Sequence, residues 1–403
     1  MKKSYKYRMY PTEDQQIILN QWFGSVRYIY NLALETKMRA WKDAGKNLSG
    51  FDLINQMPDL KDSPEIPWLK DCPADSLNLS ILNMDKAYKA FFERRGSGVG
   101  YPKFKNKSNK KSISFSKITK IDFENGTITI PKIKDSIPVI FHRTFEGTAK
   151  TTTISKTSTN QYYVSILVDD GEELPKKKSI KKKTTVGIDL GVKTFAVLSD
   201  GTEYENPKFL EEVSRRLAIA QRTMARRFKK GSKEQSKRYY EAKLEVAKLH
   251  QKIANKRKDY QHNISNEIIT KYDTIALEDL NVKGMSTSSK GTIETPGKKV
   301  AQKSGLNKAI LDTGMSSFKS MLQYKAEWSG KNILEINRFE PSSKKCSNCG
   351  TVNKSLTLKD REWDCEECGT HHDRDHNAAI NIKEIALKNL RASERPPRAK
   401  VIH

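Results

Sequence analysis

The sequence is short of the features that would place it outside the cell or in a bilayer. It has no run of about 18 apolar residues, which excludes a spanning helix, and no signal-peptide core. Cysteine is scarce. Of the five cysteines four crowd into two close pairs near the C-terminus, whereas a secreted disulfide framework would spread them. Acidic side chains are too few for the basic ones, 48 against 74, and the formal charge of +26 would repel itself unless a polyanion shared the surface. No repeat of 20 to 50 residues is found, which removes solenoids and propellers. These deficits point to a soluble, cytoplasmic chain, away from membranes, whose partner is nucleic acid. At 403 residues more than one packed unit is expected.

What is present falls into blocks. Tyr5, Tyr7 and Met9 alternate with Lys6, Arg8 and Tyr10 and stop at Pro11, a short strand. Thr12 and Gln15 form a capping box, and Ile18, Trp22, Val26 and Ile29 follow at helical spacing. Leu77, Ile81, Met84, Tyr88 and Phe91 mark a second helix, ending before the glycine-rich stretch from Gly96 to Gly100. From Tyr101 the period changes to two, through Ile113, Phe115, Ile121, Phe123, the Asn125-Gly126 turn, Ile128 and Ile130. A β-barrel or sandwich from residues 1–12 and 101–175, with residues 13–100 as a helical insert, is the simplest assembly. Residues 176–184 read as a solvated basic linker.

Beyond the linker the pattern becomes α/β. Val186 to Asp189 and Phe195 to Leu198 are read as strands, with Asp200-Gly201 as a turn. Residues 208–258 read as two basic helices broken at Gly231-Ser232, the first with a core stripe of Leu210, Val213, Leu217, Met224 and Phe228. Thr274 to Glu278 is another strand, 285–305 a mobile loop, and Leu306, Ile310, Phe318 and Leu322 mark one further helix before a strand at Ile333 to Ile336.

Two constellations carry chemistry. Cys346-x-x-Cys349 and Cys365-x-x-Cys368, each followed directly by glycine, have the spacing of paired knuckles that close a tetrahedral zinc site. Four thiolates fill every position, so one structural zinc is expected, and His371 and His372 just beyond are not needed as ligands. Three acids end apolar strands or open the last helix: Asp189, Glu278 and Asp375. Carboxylates there are costly unless paired or metal-bound. Three that converge can hold two Mg²⁺ ions for phosphodiester hydrolysis. Gly187-Ile-Asp-Leu-Gly191 also resembles the first phosphate loop of actin-like ATPases, but the second glycine-rich phosphate motif is missing.

Gly187-Ile-Asp-Leu-Gly-Val-Lys193, Leu277-Glu-Asp-Leu280, the two Cys-x-x-Cys-Gly knuckles and Asp373-Arg-Asp-x-Asn-Ala-Ala-x-Asn-Ile382 together resemble the TnpB family, insertion-sequence proteins similar to compact type V CRISPR nucleases. The resemblance covers nearly the whole chain, including Gly100-Tyr-Pro-Lys-Phe104. It implies a multidomain α+β protein: an RNase-H-like (RuvC) nuclease domain over residues 185–345 and 371–390, an inserted zinc ribbon over 346–370, and a β-barrel wedge carrying a helical recognition insert. Residues 391–403 would be a flexible basic tail.

The activity implied is RNA-guided cleavage of double-stranded DNA beside a short adjacent motif, by a protein holding a guide RNA; the oligomeric state is left open, with a monomer preferred. Asp189, Glu278 and Asp375 would be the nuclease acids. Asp373 and Asp375 both belong to the motif, and Asp375 is taken because Asn377 follows it at the family's spacing. A silent RNA-guided regulator and an RNase-H-like transposase are the alternatives. Candidate backbone contacts are Arg94, Arg95, Lys103, Lys105, Arg226, Arg227, Lys229 and Lys230. Tyr101 and Phe104 are read as packing into the sheet rather than stacking on bases.

Overall fold

The computed structural model describes residues 1–94, 99–108, 110–116, 120–232, 234–357 and 359–393. The chain divides into two compact units, Met1–Glu173 and Leu174–His403.

In the first unit β1 (Lys2–Met9) runs into α1 (Glu13–Ala44), and the capping box forms as read: Gln15 N donates to Thr12 Oγ1 and Thr12 N to Gln15 Oε1. α2 (Gly50–Asn55), α3 (Met57–Asp62) and α4 (Ala74–Glu93) complete the helical segment. Then come β2 (Lys111–Phe115), β3 (Lys120–Asp122), β4 (Thr127–Thr129), β5 (Ile137–Ile140), β6 (Thr148–Lys156) and β7 (Tyr162–Asp169). The strands make one curled sheet in the order β2-β6-β7-β1-β5-β4-β3, with every pair antiparallel. Alternation works as the sequence suggests, since Tyr7 and Met9 are buried with Val164 and Ile166 beneath α1 and α4 in a single core. Among the described residues β2 and β3 stand at opposite ends of the sheet order.

The second unit is a layered α/β structure. β8 (Thr185–Leu190), β9 (Thr194–Leu198), β10 (Glu203–Glu205), β11 (Thr274–Glu278) and β12 (Asn332–Ile336) form a sheet in the order β10-β9-β8-β11-β12. β8, β11 and β12 are parallel, and β9 and β10 extend the edge antiparallel. α5 (Phe209–Arg227) and α6 (Lys237–Lys271) form the basic pair. α7 (Val282–Met285), α8 (Val300–Thr313), α9 (Met315–Trp328), β13 (Glu362–Asp364), β14 (His371–Asp373) and α10 (Arg374–Ser393) follow. Ile264 and Ile268 of α6 and Phe318 and Leu322 of α9 cover one sheet face, over Val186, Ile188, Ile275 and Leu277. Ile382, Ile385 and Ala386 of α10 cover the other, over Ala276. Among the described residues no helix is long and apolar enough to cross a membrane.

Four expectations need correction. α6 does not stop near residue 258 but runs to Lys271, because Ile264, Ile268 and Ile269 supply the stripe that docks it on the sheet. The helix expected across residues 306–322 is two, broken where Gly314 takes φ +66°. The loop expected across 285–305 stops short, because α8 begins at Val300, while residues 176–184 are largely exposed, with Lys178 N bonded to Gly330 O. Phe228 is not core but 52% exposed. The helix stripe ends one turn earlier, at a partly buried Met224.

Candidate acid site and cysteine cluster

The parity of the strands decides where the acids go. Val186, Ile188, Ile275 and Leu277 point to the α6–α9 side, so Gly187, Asp189, Ala276 and Glu278 share the α10 side. Register does the rest. Leu277 lies opposite Ile188, which sets Glu278 and Asp189 on adjacent strands at the same level. Gly187 lets α10 descend: a Cβ there would stand 2.1 Å from Ala379 O and 2.7 Å from Lys383 N. This glycine therefore serves helix packing, and Gly191 serves the β8–β9 turn, where a Cβ would stand 2.6 Å from Thr194 O.

With α10 seated, its first turn brings Asp375 to Asp189. Burial first, then the charges of Asp375 and Glu278, push the Asp189 carboxyl up to about 7. Glu278 is likewise raised, by burial and then by Asp279. Asp279 itself belongs elsewhere, bonded to Arg338 and, at 3.3 Å, to Lys319. Asp375 is held by Arg361 Nη1 at 3.0 Å and Arg374 Nη2 at 3.1 Å. Asp373 has a different task. Its Oδ1 accepts from His376 N at 2.8 Å and caps α10, and its side chain is exposed. Beside Arg361 opens a cleft of about 1200 Å³ with Leu210, Leu217 and Leu306 on its walls and Lys193, Arg215 and Lys308 among its cations.

The four cysteines gather so that all their sulfurs lie within 4.8 Å of one another. Cys346 and Cys368 are 3.7 Å apart and Cys349 and Cys365 3.5 Å, close to the roughly 3.8 Å edge of a tetrahedron built on a 2.3 Å metal–sulfur bond. The two knuckles repeat one pattern. Gly350 N bonds to Cys346 O and Cys346 N to Thr351 O; Gly369 N bonds to Cys365 O and Cys365 N to Thr370 O. Gly350 and Gly369 both take positive φ, +86° and +67°. Hydrogen bonds from the Thr370 side chain and backbone bring the Cys368 thiol down to about 6, which favours the thiolate a metal needs. The donor set fits a metal ion. His372 is buried with Nε2 3.0 Å from Cys346 Sγ, while the exposed His371 pairs with Asp364 at 2.8 Å.

Sequence reasoning missed what ties the two constellations together. Asn377 Nδ2 donates to Lys345 O at 2.8 Å and its Oδ1 accepts from Ser347 N at 2.9 Å. Asn381 Nδ2 donates to Ser342 O at 2.8 Å and Lys345 O at 2.6 Å. Both asparagines are buried on α10, so they fasten the first cysteine knuckle to the helix that carries Asp375. Their spacing of four, on the helix face of Ala378 and Ile382, was the available signal.

The expected polyanion contacts scatter. Arg226, Arg227, Lys229 and Lys230 gather, exposed, at the α5 terminus. Arg94, Lys103 and Lys105 lie in the first unit; Arg95 falls outside the described residues. Lys105 is drawn inward, with Nζ 3.7 Å from the centre of the Tyr30 ring. Tyr101 packs on Tyr88 and Phe91 yet stays 37% exposed, and Phe104 is 52% exposed, so neither is buried in the sheet.

A parallel-centred sheet whose last helix is pinned to a four-cysteine cluster able to hold a metal ion defines a class of basic α/β proteins. Three family profiles match within it: "Probable transposase" over residues 164–289, "Cas12f1-like, TNB domain" over 316–382 and "Helix-turn-helix domain" over 1–46. The last span is folded as a strand and one 32-residue helix. A Streptomyces pristinaespiralis protein is 34% identical over 96% of this chain and 90% of its own length, and InsQ of Escherichia coli K12 30% over 94% and 91%. Both bear the name "Putative RNA-guided DNA endonuclease". The chain belongs to the TnpB family. Its fold matches that of Cas12f1, solved by cryo-EM in complex with guide RNA and target DNA, at a TM-score of 0.53 and 15% identity over 95% of this chain and 98% of that one.

Proposed function

We propose that the chain is an RNA-guided DNA endonuclease that hydrolyses phosphodiesters at Asp189, Glu278 and Asp375. The observation that carries this reading is the register that sets Asp189 and Glu278 level on adjacent strands of the face covered by α10, whose first turn holds Asp375. A crowd of like charges at the ends of strands is unfavourable alone and is the donor set that hard divalent cations neutralise. Two Mg²⁺ ions, when bound there, would supply an activated water and charge stabilisation at the leaving oxygen.

The chain's own part is positional. Parity fixes Asp189 and Glu278, Gly187 admits α10, and Arg361 and Arg374 orient Asp375. The cleft beside Arg361 has apolar walls for unpaired bases and cations for phosphates, which suits one strand of an opened duplex. The relatives' shared name and the charge of +26 support a guide RNA and double-stranded DNA as partners. One zinc at the cysteine cluster is read as structural, because four thiolates leave no open position. In this reading 185–345 and 371–390 are the RuvC-type domain, 346–370 the ribbon, and 1–12 with 101–175 the wedge around the insert 13–100.

The test is Asp189→Ala. Cleavage of a guide-matched duplex should vanish while guide and target remain bound. Retained cutting would remove Asp189 from the site. The profile name "Probable transposase" favours a second reading, in which strand-transfer products form from transposon-end DNA without RNA.

A further inference from the structure

Sixteen Lys and Arg against five Asp and Glu stand in residues 209–258, an eighth of the chain with close to half its net charge. The residues form the α5–α6 hairpin, zipped by a small core of Leu217, Val246 and Leu249. At its tip the aromatics are turned outward. Phe228 is 52% exposed and Tyr240 54%, with Tyr239 between them at ring distances of 5.7 and 5.5 Å.

The tip is held in shape. Gln235 bonds to both the N–H and the C=O of Lys229 at 2.8 Å, and Arg227 Nη1 donates to Arg238 O at 2.8 Å. Around the rings, the described residues of 222–238 place seven Lys and Arg against one Glu. A shallow cavity of about 530 Å³ lined by Ile219, Arg222, Ala225 and Arg226 lies at the base.

Exposed apolar rings are costly in water, and rings framed by cations match unpaired bases on a phosphate backbone. We infer that this tip is a second nucleic-acid site, which stacks unpaired bases of the guide RNA on Phe228 and Tyr240. The choice of RNA follows from distance. Tyr240 precedes Tyr260 by twenty residues of α6, and Tyr260 packs on Phe195 of β9, so the tip stands about 30 Å from the sheet that bears the acids. A strand being cut must reach those acids; a strand held throughout need not. The inference rests on the guided-nuclease reading for its partner, but not on which acids cut.

The test uses the full chain and a synthetic stem–loop RNA with an unpaired loop of about eight nucleotides, beside single-stranded and blunt duplex DNA. Phe228→Ala with Tyr240→Ala should weaken RNA binding by about tenfold or more, with its salt dependence unchanged. Lys229→Gln with Lys230→Gln should lower the slope of log Kd against log salt by about 1.4. Duplex DNA should bind all forms alike, and melting temperatures should stay put because the substituted side chains are exposed. RNA affinity within about twofold for both variants, or equal losses on RNA and duplex DNA, would overturn the tip as an RNA site. So would a larger loss on single-stranded DNA. If the unmodified chain binds the stem–loop through the tip yet cuts no guide-matched duplex, the nuclease reading fails and the tip stands.

Discussion

At Gly187 the missing side chain is the functional one. The space a Cβ would need holds the carbonyl oxygen of Ala379, a backbone atom that cannot move without moving α10. Gly187→Ala should cost about 1–3 kcal/mol of stability and most of the cleavage, both read on one preparation by thermal unfolding and duplex cutting. An alanine form as stable and active as the parent would show that α10 does not depend on this approach. Asp189 two residues on gives a pH signature. Its carboxyl binds a proton more tightly folded than unfolded, so its contribution is complete below the unfolded value of 3.8 and is lost as pH rises towards about 7. In chelator, Asp189→Asn should therefore lose up to about 4 kcal/mol less stability than the parent between about pH 4 and 8. Added Mg²⁺ should stabilise the parent alone. Parallel pH curves would mean that Asp189 is not crowded as described.

Among the elements α10 does the most, since one of its faces seals the sheet and its first eight residues carry Asp375 and the ribbon latch. Asn381→Ala would leave the carbonyls of Ser342 and Lys345 without this donor, at a cost of about 1–3 kcal/mol. It should also speed zinc loss to a chelator, measured with a chromophoric chelator; unchanged release would uncouple latch from ribbon. Much of this was legible in sequence. The Thr12 box, the strands that end in Asp189 and Glu278, and the glycines after each cysteine pair are local signals, and each formed where local chemistry put it. What was missed depends on tertiary contact. The last third of α6 exists as helix because the sheet buries it, and Phe228 continues a helical period past the end of its helix. Asn377 and Asn381 share a helix face, but their partners lie thirty or more positions upstream, where no local pattern points to them. Asp373 and Asp375 lie two apart in one motif, and the cap that Asp373 makes to His376 N is seen only in the fold.

At the scale of the molecule, each hydrophobic cluster is drawn from one unit. The first runs from Tyr7 to Val168; those of the second lie between Val186 and Ala386. The cysteine cluster belongs wholly to the second and is fastened to its last helix, so metal loss should be felt there. Calorimetry of the full chain is expected to resolve two transitions, and Cys346→Ser or a zinc chelator should lower one and leave the other in place. Metal content, measured on the same samples, should fall from one zinc per chain, and cleavage should fall with it because Ser342, Lys345 and Ser347 no longer hold Asn377 and Asn381 firmly. The silence of the first unit is the decisive part. If both transitions moved together, the zinc would be stabilising more than the acid-bearing sheet; if neither moved, the four sulfurs would not be holding an ion at all.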